Sequence, residues 1–482
     1  MSNTGASSNF STSTQQKMSL FSHGALYKSL AILGLVLFLF YTILRNPSYQ
    51  LQSILSKFQE KWPASTPAAP TNISHIVFGI VGSVNTWKYK RSYIESWWQP
   101  NVTRGYIFMD SAPGKEYLPW PSTSPPFRVN EDITKLKGYP RYSNKIQLRI
   151  VHTVLEVFRE GDENVRWYVM ADDDTVLVID NLVDMLAKYD HTKYLYIGTN
   201  SECTQNNFEF SFDMAYGGAG YALSYPLMKA ISKKLDGCIE RYPPLYTSDS
   251  VLGACLADLG IDRITEKGFH QIDLHGDISG LLAAHPHTPF LSLHHLDTIE
   301  PIFPNKSQSE SINHLLKAAK VDPSRILQQT ICYDRLMNWT FSVAWGYSVH
   351  IYESIFPRSV LRKPLETFRP WRRNAKPPFF MFNSRWIFND CEAPHAFFRD
   401  SIEKNEDQIV TTYVRKSPRG FPACSASGNH SAESITKIMV FSPINMRNME
   451  VERRDCCDVM HNVNASVAEV KYRTCEKDEL IA

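Results

Sequence analysis

Three consecutive carboxylates, Asp172, Asp173 and Asp174, close the apolar run "WYVMA" that begins at Trp167. Like charges placed side by side repel, so a folded chain that concentrates them needs a partner. A hard divalent cation held through carboxylate oxygen is one such partner. A cation there bridges two phosphates of a nucleotide and offsets charge on a leaving diphosphate. The alternative is plain: acidic triplets also cap turns and are simply solvated.

Three further groups bear on that choice. "YGGAGYALS" holds Gly217, Gly218 and Gly220, where the backbone can approach a ligand closely or make a tight turn. "TSDSVLGACLADLGI" sets Asp249 at a helix start. It reads either as a carboxylate favoured by the helix dipole or as a general base. "LSLHHLDTIEPIFP" sets His294 and His295 at the end of a strand-like run, as structural histidines or as metal ligands completing the acidic set.

The elements that must position these residues alternate in type. "HIVFGIVG", "RGYIFMD", "RWYVMA" and "KYLYIGT" read as strands, and "SYIESWW" and "NLVDMLAKYD" as helices, Asp180 being placed to cap the second. "NKIQLRIVHTVLEVFRE" reads as a helix with an apolar stripe at Ile146, Ile150, Val154, Val157 and Phe158. Alternating strands and helices predict an α/β layer with a largely parallel sheet, whose ligands sit beyond the carboxyl ends of the strands. The aspartates fall at such an end. After about residue 306 the pattern changes. Large apolar residues occupy alternate positions from Trp339 to Ile351, a strand with one buried face bent at Gly346. "FFMFNSRWIF", "DQIVTTYV" and "ITKIMVFS" read as further strands, so 306–482 is expected to be β-rich.

The four quoted pieces resemble, in order and spacing, the Fringe-related glycosyltransferases (family 31, with the core-1 galactosyltransferases), and within them a plant group of Fringe-like proteins. The resemblance covers roughly residues 75–305 and continues through "ICYDRLMNWTFSVAWGYSVHIYESIFP" and "CEAP". It implies a GT-A nucleotide-sugar-binding domain and Mn²⁺-dependent inverting transfer from a nucleotide sugar, a UDP-sugar, to a glycan or glycoconjugate hydroxyl. Carried over by position, Asp172 and Asp174 engage metal and nucleotide, with Asp173 beside them. His294, or His295, completes the metal shell, and Asp249 is the base. Gly217, Gly218 and Gly220 form the turn near the sugar, and Lys145 meets the donor. The sequence departs from the animal pattern at "SDS", where a second acidic neighbour of Asp249 is common.

Two readings of other classes remain. "DDDTV" fits the nucleophile motif of haloacid-dehalogenase-type phosphatases, which normally follows the first strand of the domain. A luminal sugar-binding protein with the same fold would also keep these residues.

The rest of the chain bears on location. With 43% hydrophobic residues among 482, it holds enough apolar material for a large domain and a second unit. A net charge of +2 and scattered basic residues argue against a nucleic-acid partner. Ser29 to Leu44 carries no charge, and the surrounding segments are polar. It is expected to be a single membrane anchor, preceded by a cytoplasmic tail (1–28) and followed by a proline-marked stem (45–74). Asn-x-Ser/Thr sites at Asn72, Asn101, Asn305, Asn338, Asn429 and Asn464, and nine cysteines, suit the secretory lumen. With the resemblance, that means a type II protein of the Golgi membrane, glycosylated and disulfide-bonded, with one thiol left over. "KDEL" at Lys477–Leu480 is followed by two residues and is no terminal retrieval signal.

Overall fold

The computed structural model describes residues 31–38, 41, 69–425, 428–444, 455–461 and 466–480. Residues 31–38 are helical, with their large apolar side chains exposed. No helix among the described residues is long and apolar enough to cross a membrane. The rest of the expected anchor, the cytoplasmic tail and most of the stem lie outside the described residues, as does Asn464. Thr71–Ala482 forms one compact unit.

Within it the first sheet has seven strands: β1 (Ile76–Val81), β2 (Arg104–Met109), β3 (Phe127–Val129), β4 (Trp167–Asp172), β6 (Tyr196–Gly198), β7 (Tyr221–Ser224) and β8 (Arg263–Thr265). Their order is β3-β2-β1-β4-β7-β6-β8, parallel throughout except for β7, which runs against both its neighbours. This is the expected α/β layer with a largely parallel sheet. A short pair, β5 (Val176–Leu177) with β10 (Ser292–Leu293), follows directly on the aspartates.

All six residues of β1 are buried, which is what helices on both faces require. Alternation along β1 and β4 sorts the core. Ile76, Phe78, Ile80, Trp167 and Val169 point to one side; Val77, Tyr168 and Met170 point to the other. The first side is covered by α1 (Val84–Trp97) through Trp87, Ile94 and Trp97, by α3 (Ile179–Ala187) and by α5 (Gln308–Val321). The second is covered by α2 (Lys145–Arg159) through Leu148, Val151 and Val154, and by α4 (Ser248–Ala257) through Val251, Leu252 and Cys255. The expected stripe on α2 holds at Val154 and Val157 but not in the first turn: Ile146 is 64% exposed, and Leu148 and Val151 carry the contact there. Asp180 lies in the first turn of α3, and Val178 is its cap residue.

Among the described residues the second sheet has eight strands: β11 (Gln329–Asp334), β12 (Trp339–Ala344), β13 (Ser348–Tyr352), β15 (His395–Lys404), β16 (Gln408–Arg415), β17 (Lys437–Pro443), β18 (Cys456–His461) and β19 (Val467–Arg473). They run in the order β11-β12-β13-β15-β16-β17-β19-β18, antiparallel except between β17 and β19. The edge strands β11 and β18 are tied by Cys332–Cys457, so the sheet curls back on itself. That protects edges which would otherwise present unpaired backbone.

Two expectations are corrected here. Trp339–Ile351 is not one bent strand but a hairpin, turning at Gly346, which takes φ +75°. Every residue of both arms is buried, because the sheet's second face also packs into the protein. "FFMFNSRWIF" makes no strand; it touches its neighbours through isolated bridges, Cys203 with Phe380 and Leu365 with Arg385. Its rings pack instead, Phe380 against Phe368 and Phe382 at 5.0 and 5.5 Å. Just before it, β14 (Phe368–Pro370) pairs with β9 (Leu274–Gly276) of the α/β part. Residues 358–388 thus leave the second sheet and lie against the α/β part through the separate β14–β9 pair, and one hydrophobic core runs through both sheets.

Candidate functional site

The carboxylates begin at the last residue of β4, where the chain leaves the sheet. Thr175 shapes the turn: its hydroxyl accepts from Asp172 N at 3.0 Å and donates to Gly218 O at 2.8 Å. This single side chain ties the aspartates to the glycine turn. The short pair of β5 with β10 then delivers His294 to the same place. Its Nε2 lies 3.0 Å from Asp174 Oδ1 and 3.7 Å from Asp172 Oδ2. One ligand atom from each of Asp172, Asp174 and His294 lies within 4.8 Å of the others.

These three residues fit a divalent cation. Two carboxylate oxygens and one imidazole nitrogen form a donor set suited to a divalent metal ion. The buried His294 Nδ1 has no hydrogen-bond partner, and a side chain on Gly218 would strike the ring. The ring is therefore clamped against the glycine turn with Nε2 turned to the acids.

Electrostatics separates the three acids. Burial raises the carboxyl of Asp174, but His294 and Lys90 outweigh it and hold the group far below the usual range. Lys90 Nζ lies 2.6 Å from Asp174 Oδ2 and also reaches Asp297, which accepts from Tyr93 as well. Burial, with the neighbouring carboxylates, pushes Asp172 up to about 7 against the pull of His294. Asp173 is raised to about 6 by burial and by Asp174. It turns the other way, accepting from Thr86 Oγ1 at 3.2 Å and Ser83 N at 3.4 Å near the start of α1. Burial opposes charging of His294, but Asp174 and Asp172 hold the imidazolium, up to about 9.

Asp249 sits in the first turn of α4, behind the glycine turn. Thr247 caps the helix, and Gln147 on α2 accepts from Ser248 N at 2.8 Å. A side chain on Gly217 would fall 2.7 Å from Asp249 Oδ1, so only glycine leaves that approach open. Burial raises Asp249 to about 6, opposed by the Gly217 backbone and the Ser248 hydroxyl. Asp172, Gly217 and Asp249 line one narrow space with Ile150 and Tyr221. Gly220 takes φ +86°, completing the turn.

Two expected residues stand elsewhere. His295, in the left-handed region at φ 52°, turns from the acids. Its Nδ1 lies 3.0 Å from Asp273 Oδ1. Lys145 donates to Tyr139 O and lies over the Tyr139 ring at 4.3 Å. One turn further along α2 stands a second basic residue, Arg149. It donates to Gly82 O and to Asn130 Oδ1 at 2.7 Å, and it faces the charges of Asp110, Asp172 and Asp173.

Sequence reasoning missed Lys90, Arg149, Asp297 and Trp371. Arg149 had a signal, being four residues after Lys145 on the same helix. Asp297 had one too, three residues beyond the histidine pair. Trp371 had none. It comes from the segment that leaves the second sheet and stacks between His275 and His295, with ring centroids 4.8 and 4.6 Å away.

A 119-residue stretch is 29% identical to a β-1,3-glucosyltransferase of Mus musculus and 28% identical to that of Homo sapiens. Each match covers 24% of this chain and 23% of the relative, so the chain matches under a quarter of either relative's length. Among solved structures, core-mannan synthase A of Aspergillus fumigatus, in its Mn/GDP form, aligns over 42% of this chain and 75% of its own. The identity is 9% and the TM-score 0.26. A family profile matches residues 206–457, more than half of the chain, from just before the glycine turn through Asp249 and the histidines to β18 of the second sheet. The chain belongs to that family, described as "Protein of unknown function, DUF604".

Proposed function

We infer that this chain is a metal-dependent, inverting glycosyltransferase of Fringe-related type, moving a sugar from a nucleotide sugar, a UDP-sugar, to a glycan hydroxyl. The observation that carries this reading is the Asp172–Asp174–His294 cluster, with Asp249 across the glycine turn from it. The partial match to β-1,3-glucosyltransferases supports the reaction class and makes UDP-glucose the first donor to test.

Asp172, Asp174 and His294 would hold the ion, which when bound supplies positive charge to the donor diphosphate. Lys90 keeps Asp174 ionised and tethers it to Asp297. Arg149 adds a fixed positive charge beside Asp172 and Asp173. Gly217 and Gly218 leave the space in front of Asp249 and His294 free of side chains. Asp249 accepts the proton of the acceptor hydroxyl at one carboxylate oxygen, and the oxygen so freed attacks the anomeric carbon from the face opposite the diphosphate, whose bond to that carbon breaks as the nucleoside diphosphate leaves.

A Golgi location, luminal and anchored through Ser29–Leu44, fits the same reading. Its supports are four disulfides, Cys238–Cys255, Cys332–Cys457, Cys391–Cys424 and Cys456–Cys475. Asn72, Asn101, Asn305, Asn338 and Asn429 are all exposed.

The test is nucleotide release by the full-length protein across a panel of nucleotide sugars, with and without Mn²⁺ and acceptor glycans. The expected result is release from one UDP-sugar that needs both metal and acceptor, giving a product of inverted anomeric configuration. Absence of donor binding in calorimetry with Mn²⁺ present would overturn the reading.

A further inference from the structure

A second cavity, of about 830 Å³, opens where residues 358–388 lie against the α/β part. It is distinct from the acidic cluster: none of Asp172, Asp174, Asp249 or His294 lines it. Its size falls within the range that small-molecule and saccharide sites occupy.

The charge of its wall is one-sided. Lys267 comes from the loop after β8, and Arg362 and Lys363 follow the short helix Arg358–Leu361. All three are exposed, and among the described residues none is paired with a carboxylate. The one carboxylate in the lining, Glu202, is already engaged: it accepts from Ile272 N at 2.8 Å and meets His270 Nδ1 at 3.1 Å. The acids nearest Lys267 and Lys363 in sequence are also used, Glu266 by Tyr189 and Glu366 by Ser384.

The remaining lining suits a sugar. Asn200 and Asn383 offer amides, and Phe382 an aromatic surface. Amides hydrogen-bond hydroxyls, and an aromatic face packs on the apolar face of a pyranose. On the floor, His270 Nε2 lies 3.0 Å from His285 Nε2, and His285 Nδ1 lies 2.9 Å from Pro286 O. A proton on His285 Nδ1 leaves its Nε2 as acceptor, so His270 donates to it. With Glu202 on its other nitrogen, both ring nitrogens of His270 are engaged and the floor is held in place. From that floor, residues 270–273 run to Asp273, which holds His295 beside the acidic cluster. Three residues of chain span at most about 10 Å, and Ile272 at φ 52° makes this connection shorter.

We propose that this cavity binds an anionic saccharide, carrying carboxylate or sulfate, as the charged part of the acceptor. The proposal rests on the glycosyltransferase reading for the word acceptor, and on the cavity alone for binding. Lys267, Arg362 and Lys363 take the anionic groups by charge-assisted hydrogen bonds, while Asn200, Asn383 and Phe382 take the ring.

Calorimetry on the full-length protein, without donor, tests it. The probes are an oligogalacturonate, a sulfated oligosaccharide of similar length, and a neutral oligoglucoside as control. At least one anionic probe is expected to bind, more weakly as salt rises, and the arm that binds identifies the anion as carboxylate or sulfate. The triple variant Lys267→Gln, Arg362→Gln, Lys363→Gln should weaken that binding about tenfold or more, while leaving Mn²⁺-dependent UDP binding at the wild-type level. Unchanged UDP binding shows that the variant is folded. Equal affinity for the neutral probe, binding by neither anion, or an unaffected triple variant overturns the proposal. Loss of UDP binding by the wild-type protein instead overturns the glycosyltransferase reading and leaves the saccharide result to stand on its own.

Discussion

Two regions of this protein bury carboxylates, and they treat them in opposite ways. In the second sheet, Glu353 at the end of β13 is fully committed. Its Oε1 meets His395 Nε2 at 2.8 Å and accepts from Ser431 Oγ at 3.0 Å and Ala432 N at 2.9 Å. Its Oε2 accepts from Cys424 N at 2.9 Å and lies 3.3 Å from Arg419. Burial would raise this carboxyl, yet these five partners hold it down at about 2. In the first sheet, Asp172, Asp173 and Asp174 crowd together at the end of β4, and two of them are raised. Glu353 shows what a structural carboxylate looks like when its lone pairs are filled. The aspartate cluster lacks that completeness and is arranged to take up a further positive charge.

The largest effect expected from breaking this contrast is at Asp174. Asp174→Ala should remove Mn²⁺-dependent donor binding by calorimetry and lower turnover about 10³-fold or more, the loss of several kcal/mol of charge stabilisation. The fold should survive the change, since Lys90 keeps Asp297 and His294 keeps Asp172 as partners. Asp249→Asn should keep donor affinity and lower kcat by about 10²–10⁴-fold, measured by nucleotide release at saturating acceptor. The mirror experiment is Glu353→Leu. It should destabilise the fold by about 3–5 kcal/mol in denaturant titration, because Arg419 and His395 are left buried without their acid, with no change in Mn²⁺ affinity.

A smaller effect is expected from Trp371→Ala. Trp371 packs on His295, whose neighbour His294 is in the cluster, so metal affinity should fall about 10–100-fold with the fold intact. A purely structural Trp371 would move the unfolding midpoint and leave Mn²⁺ affinity alone.

The mildest test is pH. Asp249 must be ionised to accept a proton, and its folded value is about 6, so kcat/KM should fall as pH drops through about 6. Stability has a separate acid limb from the second sheet. His350, buried in β13, is held neutral by burial and by Arg385, down to about 4. The unfolded chain protonates this histidine near 6.5 and the folded chain only near 4, so stability falls as pH drops across that window. The slope is about 1.4 kcal/mol per pH unit for this one group. Unfolding curves at several pH values separate the two limbs.

Much of the first sheet was legible because its strands are short apolar runs ending at polar residues, and period distinguishes them from the helices between. The register of α2 was not. Ile146 and Leu148 are equally apolar, and only the position of the sheet decides which faces inward. The hairpin at Gly346 reads as a bent strand for a related reason: when both faces are buried, alternation no longer marks solvent. The candidate site was legible in its acids, its glycines and one of two adjacent histidines. Asp172, Asp174 and His294 converge, while His295 and Lys145 serve other partners, a distinction of tens of degrees in backbone and rotamer that residue type does not encode.

The sequence by itself determined the supply of chemistry: three acids at a strand end, a glycine turn, a helix-borne carboxylate and a histidine pair. These are local, because a strand's end and a helix's first turn are set by neighbouring residues. Which histidine faces the acids, that Arg149 rather than Lys145 stands beside them, and that Trp371 crosses from the second sheet to brace the site were decided only by tertiary structure. Those outcomes depend on contacts between residues tens to hundreds of positions apart, fixed by how the two sheets share one core.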